Sequence, residues 1–239
     1  PNHFHRVSMR NIMNRKAGVI GSGDVGKTLA NGLIKYGYDV MIGTNNFAKH
    51  EELRTKSGGK AKIGSFTEAA KYGEIVVLAV KGSALEAALG TMGPENLKGK
   101  TVIDASNPIA ETPPVNGVLR YFTTLDESLM ERLQKRVPAA HFVKAFSCAG
   151  HKYMVDPDFG GTRPTMFICG NEDGAKKEVK EILDKFGWET EDLGKAEAAR
   201  AIEPLAMLWC IPGFLRNDWM HAFKVLRPRS GRPVPNRPP

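Results

Sequence analysis

Cysteine is scarce in this sequence. The chain of 239 residues holds three, Cys148, Cys169 and Cys210, far apart and without the spacing of a metal site. So low a count fits a reducing compartment, and a cytoplasmic setting is expected. Long apolar runs are missing as well. The longest oily stretch, Pro204 to Leu215, is interrupted by Pro212 and Gly213, and no uninterrupted run reaches the ~18 residues that would span a bilayer. Neither end carries the apolar core of a signal peptide. No acid occurs before Lys16, and Arg227, Arg229, Arg232 and Arg237 stand among prolines at the other end. Residues 1–15 and 228–239 therefore read as flexible tails. There is no internal repeat, and no basic stripe interleaved with aromatics, so neither a solenoid nor a nucleic-acid partner is expected. The net charge of +8 reads as a solvated surface, or as attraction for an anionic ligand such as a dinucleotide.

What is present is alternation. Short apolar runs at Ala17–Ile20, Asp39–Ile42, Ala61–Gly64, Ile75–Val80, Thr101–Ile103, His141–Phe146, Thr165–Cys169 and Trp188–Leu193 are separated by helical segments. That order predicts an α/β protein with a largely parallel, doubly wound sheet of Rossmann type. Ile75–Val80 is apolar throughout, as a central strand buried on both faces must be. Val25–Tyr36 predicts a helix with Val25, Leu29, Leu33 and Tyr36 on one face, and Asp173–Phe186 another with Val179, Ile182, Leu183 and Phe186 inward. A last helix is expected from Lys195 to about Trp209. A soft boundary near Ser147–Val155 divides a nucleotide-binding part, 16–147, from a smaller C-terminal α/β part, 148–227, that completes the acceptor site.

Two patterns overlap after the first strand. Gly21, Gly23 and Gly26 make G-x-G-x-x-G between a strand and a helix; Gly21 to Thr28 also makes G-x-x-x-x-G-K-T. Both place backbone N–H groups of a helix N-terminus around phosphate. In a Rossmann fold Gly21 makes the turn, Gly23 admits the pyrophosphate and Gly26 lets the helix pack closely. In a phosphate-loop hydrolase Lys27 would reach the terminal phosphates, Thr28 would hold magnesium, and Asp104 would be the second metal residue. The second strand ends on Gly43-Thr44-Asn45-Asn46, where NAD enzymes place a carboxylate for the ribose. Without one, nothing repels a 2′-phosphate. Thr44 and Asn45 can donate to it and Lys49 can supply charge, with His50 and Arg54 as further cations. NADP(H) is the expected cofactor.

These residues resemble a known family. Gly18-Val-Ile-Gly-Ser-Gly-Asp-Val-Gly26 and Lys35-Tyr-Gly-Tyr-Asp-Val-Met-Ile-Gly-Thr44 are similar to the NADPH-dependent reductases of the deazaflavin coenzyme F420, and to the cytosolic domain of the six-transmembrane metalloreductases. The likeness continues through Val77–Lys81, Val102–Pro108, Val143–Phe146, Ile168–Gly170 and Trp219–Leu226. The resemblance implies an NADP(H)-dependent oxidoreductase with a flavin, deazaflavin or other small acceptor. By position it implies that Ser22, Gly23, Asp24 and Val25 contact the pyrophosphate, and that Thr44, Asn45 and Lys49 contact the 2′-phosphate. Val80 and Lys81 would wall the adenosine. Ser106, Asn107 and Pro108, with Ala145 and Phe146, would neighbour the nicotinamide. Many relatives carry arginine where this chain has Asn45, which should weaken discrimination for NADP. The membrane helices of the metalloreductases have no counterpart here, so a membrane role is not expected.

Hydride transfer needs stacking and water exclusion rather than a tuned acid and base, so no catalytic residue is assigned. His141, His151 and His221 are suspects for proton handling, His221 first among them, though each also suits a packed or surface position. Cys148 follows a strand end and suits a small buried residue. Met207, Trp209, Phe214 and Trp219 suit the core, a dimer interface or a stacking platform. A homodimer is expected from that apolar segment. A protein that senses NADP(H) without turnover is the remaining alternative.

Overall fold

The structure, a computed structural model, describes residues 14–228, so the readings of the two tails fall almost wholly outside the described residues. Eight strands form one sheet in the order β3-β2-β1-β4-β5-β6-β7-β8. They are β1 (Lys16–Ile20), β2 (Asp39–Gly43), β3 (Lys62–Gly64), β4 (Ile75–Leu78), β5 (Thr101–Asp104), β6 (His141–Lys144), β7 (Thr165–Gly170) and β8 (Glu189–Asp192). Every pairing from β3 through to β6 is parallel; β7 runs antiparallel to β6, and β8 is parallel to β7. This is a Rossmann-type α/β fold.

The alternation of strand side chains builds two cores. Val19, Ile75, Val77, Ile103 and Val143 point to one face. There they meet Leu29, Ala30 and Leu33 of helix α1 (Asp24–Lys35), Leu53 of α2 (His50–Lys56), and Val179, Ile182 and Leu183 of α6 (Asp173–Lys185). Ile20, Val76, Leu78, Val102 and Phe142 point to the other. Their partners come from α3 (Phe66–Tyr72), α4 (Leu85–Met92), α5 (Leu129–Arg136) and α7 (Ala199–Arg216). With both faces covered, the continuous apolar runs are accounted for.

Helix α7 departs from expectation. It runs to Arg216, past the stop anticipated near Trp209, with Pro204 and Pro212 inside it. Each proline forfeits one i→i−4 hydrogen bond, freeing the carbonyls of Arg200 and Leu208. Leu208 is exposed, so water can satisfy its carbonyl. With the turn before it, Ala196–Arg216 is the one stretch among the described residues long and apolar enough, by length and composition, to cross a bilayer. In the fold its Ala199 and Ile202 belong to the second core and its Glu203 is buried in an ion pair.

Helix α5 shows how a cap becomes a pH-dependent element. Ser128 and Glu131 form a capping box. Arg200 of α7 also grips Glu131, with Nη2 at 2.6 Å from Oε1. Burial alone would raise the Glu131 pKa; the Arg200 and Ser128 hydrogen bonds overcome that and hold it at about 2. A depressed carboxylate pKa stabilises the folded state above its unfolded value, and that stabilisation is lost as pH falls through the folded one. We expect on the order of 2–3 kcal/mol to disappear between pH 5 and pH 2 through this group. Urea unfolding of wild type and Glu131→Gln at pH 6 and pH 3 checks it: the gap between the two proteins should narrow at pH 3, and an unchanged gap contradicts the assignment.

Candidate functional site

The chain leaves β1 toward β2 and β3, then returns across the sheet to β4. Crevices open at such switch points, beyond the carboxyl ends of the strands. Between β1 and α1, Gly21 adopts φ 121°, a conformation closed to most side chains. An added Cβ on Gly26 would lie 2.1 Å from the Gly21 carbonyl oxygen, whereas one on Gly23 would meet nothing within 4 Å. The first constraint is therefore helix packing. The second position faces open space, as a cradle for a ligand would. No side chain caps α1, which leaves the amides of its first turn available to an anion.

The loop is tied to β2. Gly21 N donates to Gly43 O at 3.0 Å, and the hydroxyls of Ser22 and Thr44 are 3.0 Å apart. Thr44 is buried, while Asn45 is exposed and Lys49 half-buried beyond it. Of the three, Thr44 touches the glycine loop. A cavity of about 560 Å³ continues from the loop in the opposite direction. Gly23, Asp24 and Val25 form one end, Val80 and Lys81 one wall, and Ser106 and Asn107 the far end. Gly21, Ser22, Gly26 and Pro108 are not part of this lining. Ala145 and Phe146 are wholly in the core. Phe146 nonetheless shapes the site: its φ of 64° is rare for a bulky residue, and it turns the chain so that the Ser147 carbonyl accepts from Asn107 Nδ2 at 2.8 Å.

Several residues of the lining carry no sequence signal, Glu111 among them, and His151 is more central than its sequence suggests. Glu111 arrives from the loop after Pro108 and accepts from Ser83 Oγ at 3.0 Å across the rim. His151, weighed only as a lesser suspect, lines the cavity and also a second recess of about 370 Å³ formed with Gly150, Lys152, Tyr153, Trp209 and Trp219. His221 is packed instead. Its ring stacks on Trp209 at 5.0 Å, and its Nε2 lies 2.9 Å from the Trp209 carbonyl. His141 begins β6, at the opposite end of the sheet from the cavity. Cys148 is buried, and that burial pushes its thiol up to about 12, which keeps it neutral and unreactive.

The hydrolase alternative fares poorly in this geometry. Lys27 Nζ lies 3.6 Å from Asp24 and 3.8 Å from Glu52. Asp104 is wholly buried and ion-paired to Lys144 at 2.7 Å, so its carboxylate is not available to a metal at Thr28.

The model of a family described as NADP oxidoreductase, coenzyme F420-dependent, matches residues 16–108. A solved structure from Arthrobacter sp. FB24, assigned as an F420-dependent NADP-reductase, is 30% identical, with a TM-score of 0.82 over 90% of this chain and 100% of its own. The chain belongs to the NADP oxidoreductase family. The metalloreductase STEAP3 of Rattus norvegicus is 28% identical over 204 residues, 84% of this chain, and this chain spans 39% of that protein's length. An imine reductase from Aspergillus terreus, in complex with NADPH4 and dibenz[c,e]azepine, shares the fold at a TM-score of 0.60 and 16% identity, over 82% of this chain and 60% of its own.

Proposed function

We propose that this NADP oxidoreductase binds NADP(H) along the crevice and passes hydride to a planar acceptor of flavin or deazaflavin type. One observation carries the reading: the long cavity from the glycine loop and the Trp209–Trp219 recess adjoin, with His151 common to both. A cofactor in the first and an acceptor at the mouth of the second would be neighbours. The fit to the cofactor rests on the open space at Gly23 and the uncapped amides of α1.

Bound NADPH supplies the hydride. The chain's residues supply position. Gly21 through Val25, with Gly26 packed beneath, hold the pyrophosphate. Thr44, Asn45 and Lys49 face the 2′-phosphate, and Val80 and Lys81 flank the adenosine side. Ser106, Asn107 and Pro108, with Ala145 and Phe146 behind them, form the seat of the nicotinamide. Tyr153, Trp209 and Trp219 offer apolar faces that exclude water from the transfer. A reducing, cytoplasmic setting suits the unpaired Cys148, Cys169 and Cys210.

An acceptor screen tests this. Loss of the near-ultraviolet absorbance of NADPH is followed with coenzyme F420, FMN, FAD and no acceptor. We expect oxidation with at least one of the flavin or deazaflavin compounds; oxidation with none of them, while NADPH binds, overturns the acceptor class. We also infer a homodimer through α7. Leu208 and Leu215 are 55% and 59% exposed, one helical face with Ile211 between them, and Val115 and Val118 lie exposed on the hairpin whose Gly117 abuts Leu215. Light scattering at micromolar protein should give twice the chain mass, and a monomer contradicts the inference.

A further inference from the structure

Behind the far end of the cavity lies a charge cluster of Asp104, Lys144 and Glu203, none of them among the proposed cofactor contacts. Lys144, at the end of β6, has no solvent exposure. Its Nζ lies 2.7 Å from Asp104 Oδ2 and 2.9 Å from Glu203 Oε1, and donates to the Ser106 carbonyl at 2.9 Å. Asp104 Oδ1 in turn accepts from Ser106 N at 3.0 Å and from Ser106 Oγ at 2.6 Å. Ser106 is thus gripped from both sides, and the next residue, Asn107, is fixed by its bond to the Ser147 carbonyl. Glu203 has its own supports: its carboxylate accepts from Leu129 N and Met130 N, each at 3.0 Å, at the start of α5.

One buried cation and two buried carboxylates leave a surplus negative charge, which the first amides of α5 offset. Burial would drive the lysine toward neutrality. The attraction of Asp104 and Glu203 reverses that, so its pKa lies above the ordinary value and the ion is kept. A well-packed apolar trio would serve stability as well. The lysine's third bond, to the Ser106 carbonyl, reaches the lining of the cavity beside the two that Asp104 accepts from Ser106.

We propose that Lys144 is a positioning residue, which by holding the Ser106 carbonyl sets the Ser106–Asn107 turn against which the nicotinamide end of the cofactor is placed. The proposal rests on the reading of the cavity as the NADP(H) site. Adenosine and 2′-phosphate contacts, at the other end, do not depend on it.

Two ligands separate the ends. On that reading NADPH would reach the Ser106–Asn107 end of the cavity, whereas 2′,5′-ADP, which has no nicotinamide, would not. Lys144→Met is compared with the charge-balanced variant carrying Asp104→Asn, Lys144→Met and Glu203→Gln, which avoids leaving carboxylates unpaired. In the balanced variant we expect the NADPH dissociation constant to rise about tenfold, the scale of one lost polar contact, with that of 2′,5′-ADP within about twofold of wild type. Equal losses for both ligands, no loss for either, or failure of the balanced variant to fold would each mean a purely structural cluster and overturn the proposal. Wild type binding neither nucleotide would instead overturn the reading of the cavity itself.

Discussion

Replacing Gly23 by valine is expected to leave the fold intact and to weaken NADPH binding at least about 100-fold, a loss of roughly 3 kcal/mol. The backbone at Gly23, φ −75° and ψ −174°, is extended and suits a β-branched residue. A Cβ there meets no atom within 4 Å, so the unliganded protein should lose only about 1 kcal/mol, the cost of valine in place of glycine at the N-cap of α1. The space it would fill is the space assigned to the pyrophosphate. Gly26 makes the contrast. Even alanine there brings a Cβ within 2.1 Å of the Gly21 carbonyl oxygen, so the loop must shift, and both stability and binding should fall, stability by about 1–3 kcal/mol. Melting curves of the two variants with and without NADPH read both effects. A folded Gly23→Val protein that still binds NADPH normally would place the dinucleotide elsewhere.

The second large effect is on stability. Lys144→Met alone should cost about 3–5 kcal/mol, because Asp104 and Glu203 would remain buried without their cation. That is a large part of the 5–15 kcal/mol that holds an ordinary domain together. The charge-balanced variant should recover most of it, since removing a buried ion cluster whole is far cheaper than removing one member. Urea unfolding measures both. A single variant as stable as wild type would show that these side chains are hydrated and only loosely paired.

Much of this was legible in the sequence because burial and backbone geometry write simple patterns. Ile75–Val80 is apolar at every position, and the structure covers β4 on both faces. The three glycines and the arrival of β2 about twenty residues later located the crevice, and Thr44 was found beside Ser22. Other parts followed no period. Glu111 enters the cavity from an irregular loop and His151 from a single 3-10 turn, where neither α-helical nor strand spacing predicts direction. Pro212 and Gly213 interrupt the oily stretch, yet α7 passes through both to Arg216, where Gly213 packs on Trp219 and Leu215 abuts Gly117. Asp104 suggested a metal residue because a carboxylate ends a strand. Its partner Lys144 is 40 residues away, and only the adjacency of β5 and β6 brings them together. The left-handed turn at Phe146 has no sequence signal, because such turns ordinarily call for glycine or asparagine.

The central claim is that the crevice at the β1–β4 switch point is an NADP(H) site. Thermal unfolding in the presence of NADPH, NADH and magnesium-ATP tests it most directly. A ligand that binds only the folded protein adds about 2.7 kcal/mol of stability at a hundredfold excess over its dissociation constant. The account predicts the largest rise in melting temperature with NADPH, a smaller one with NADH and none with magnesium-ATP. Stabilisation by magnesium-ATP with no response to either nicotinamide would contradict it and return Lys27 and Thr28 to the centre of the site.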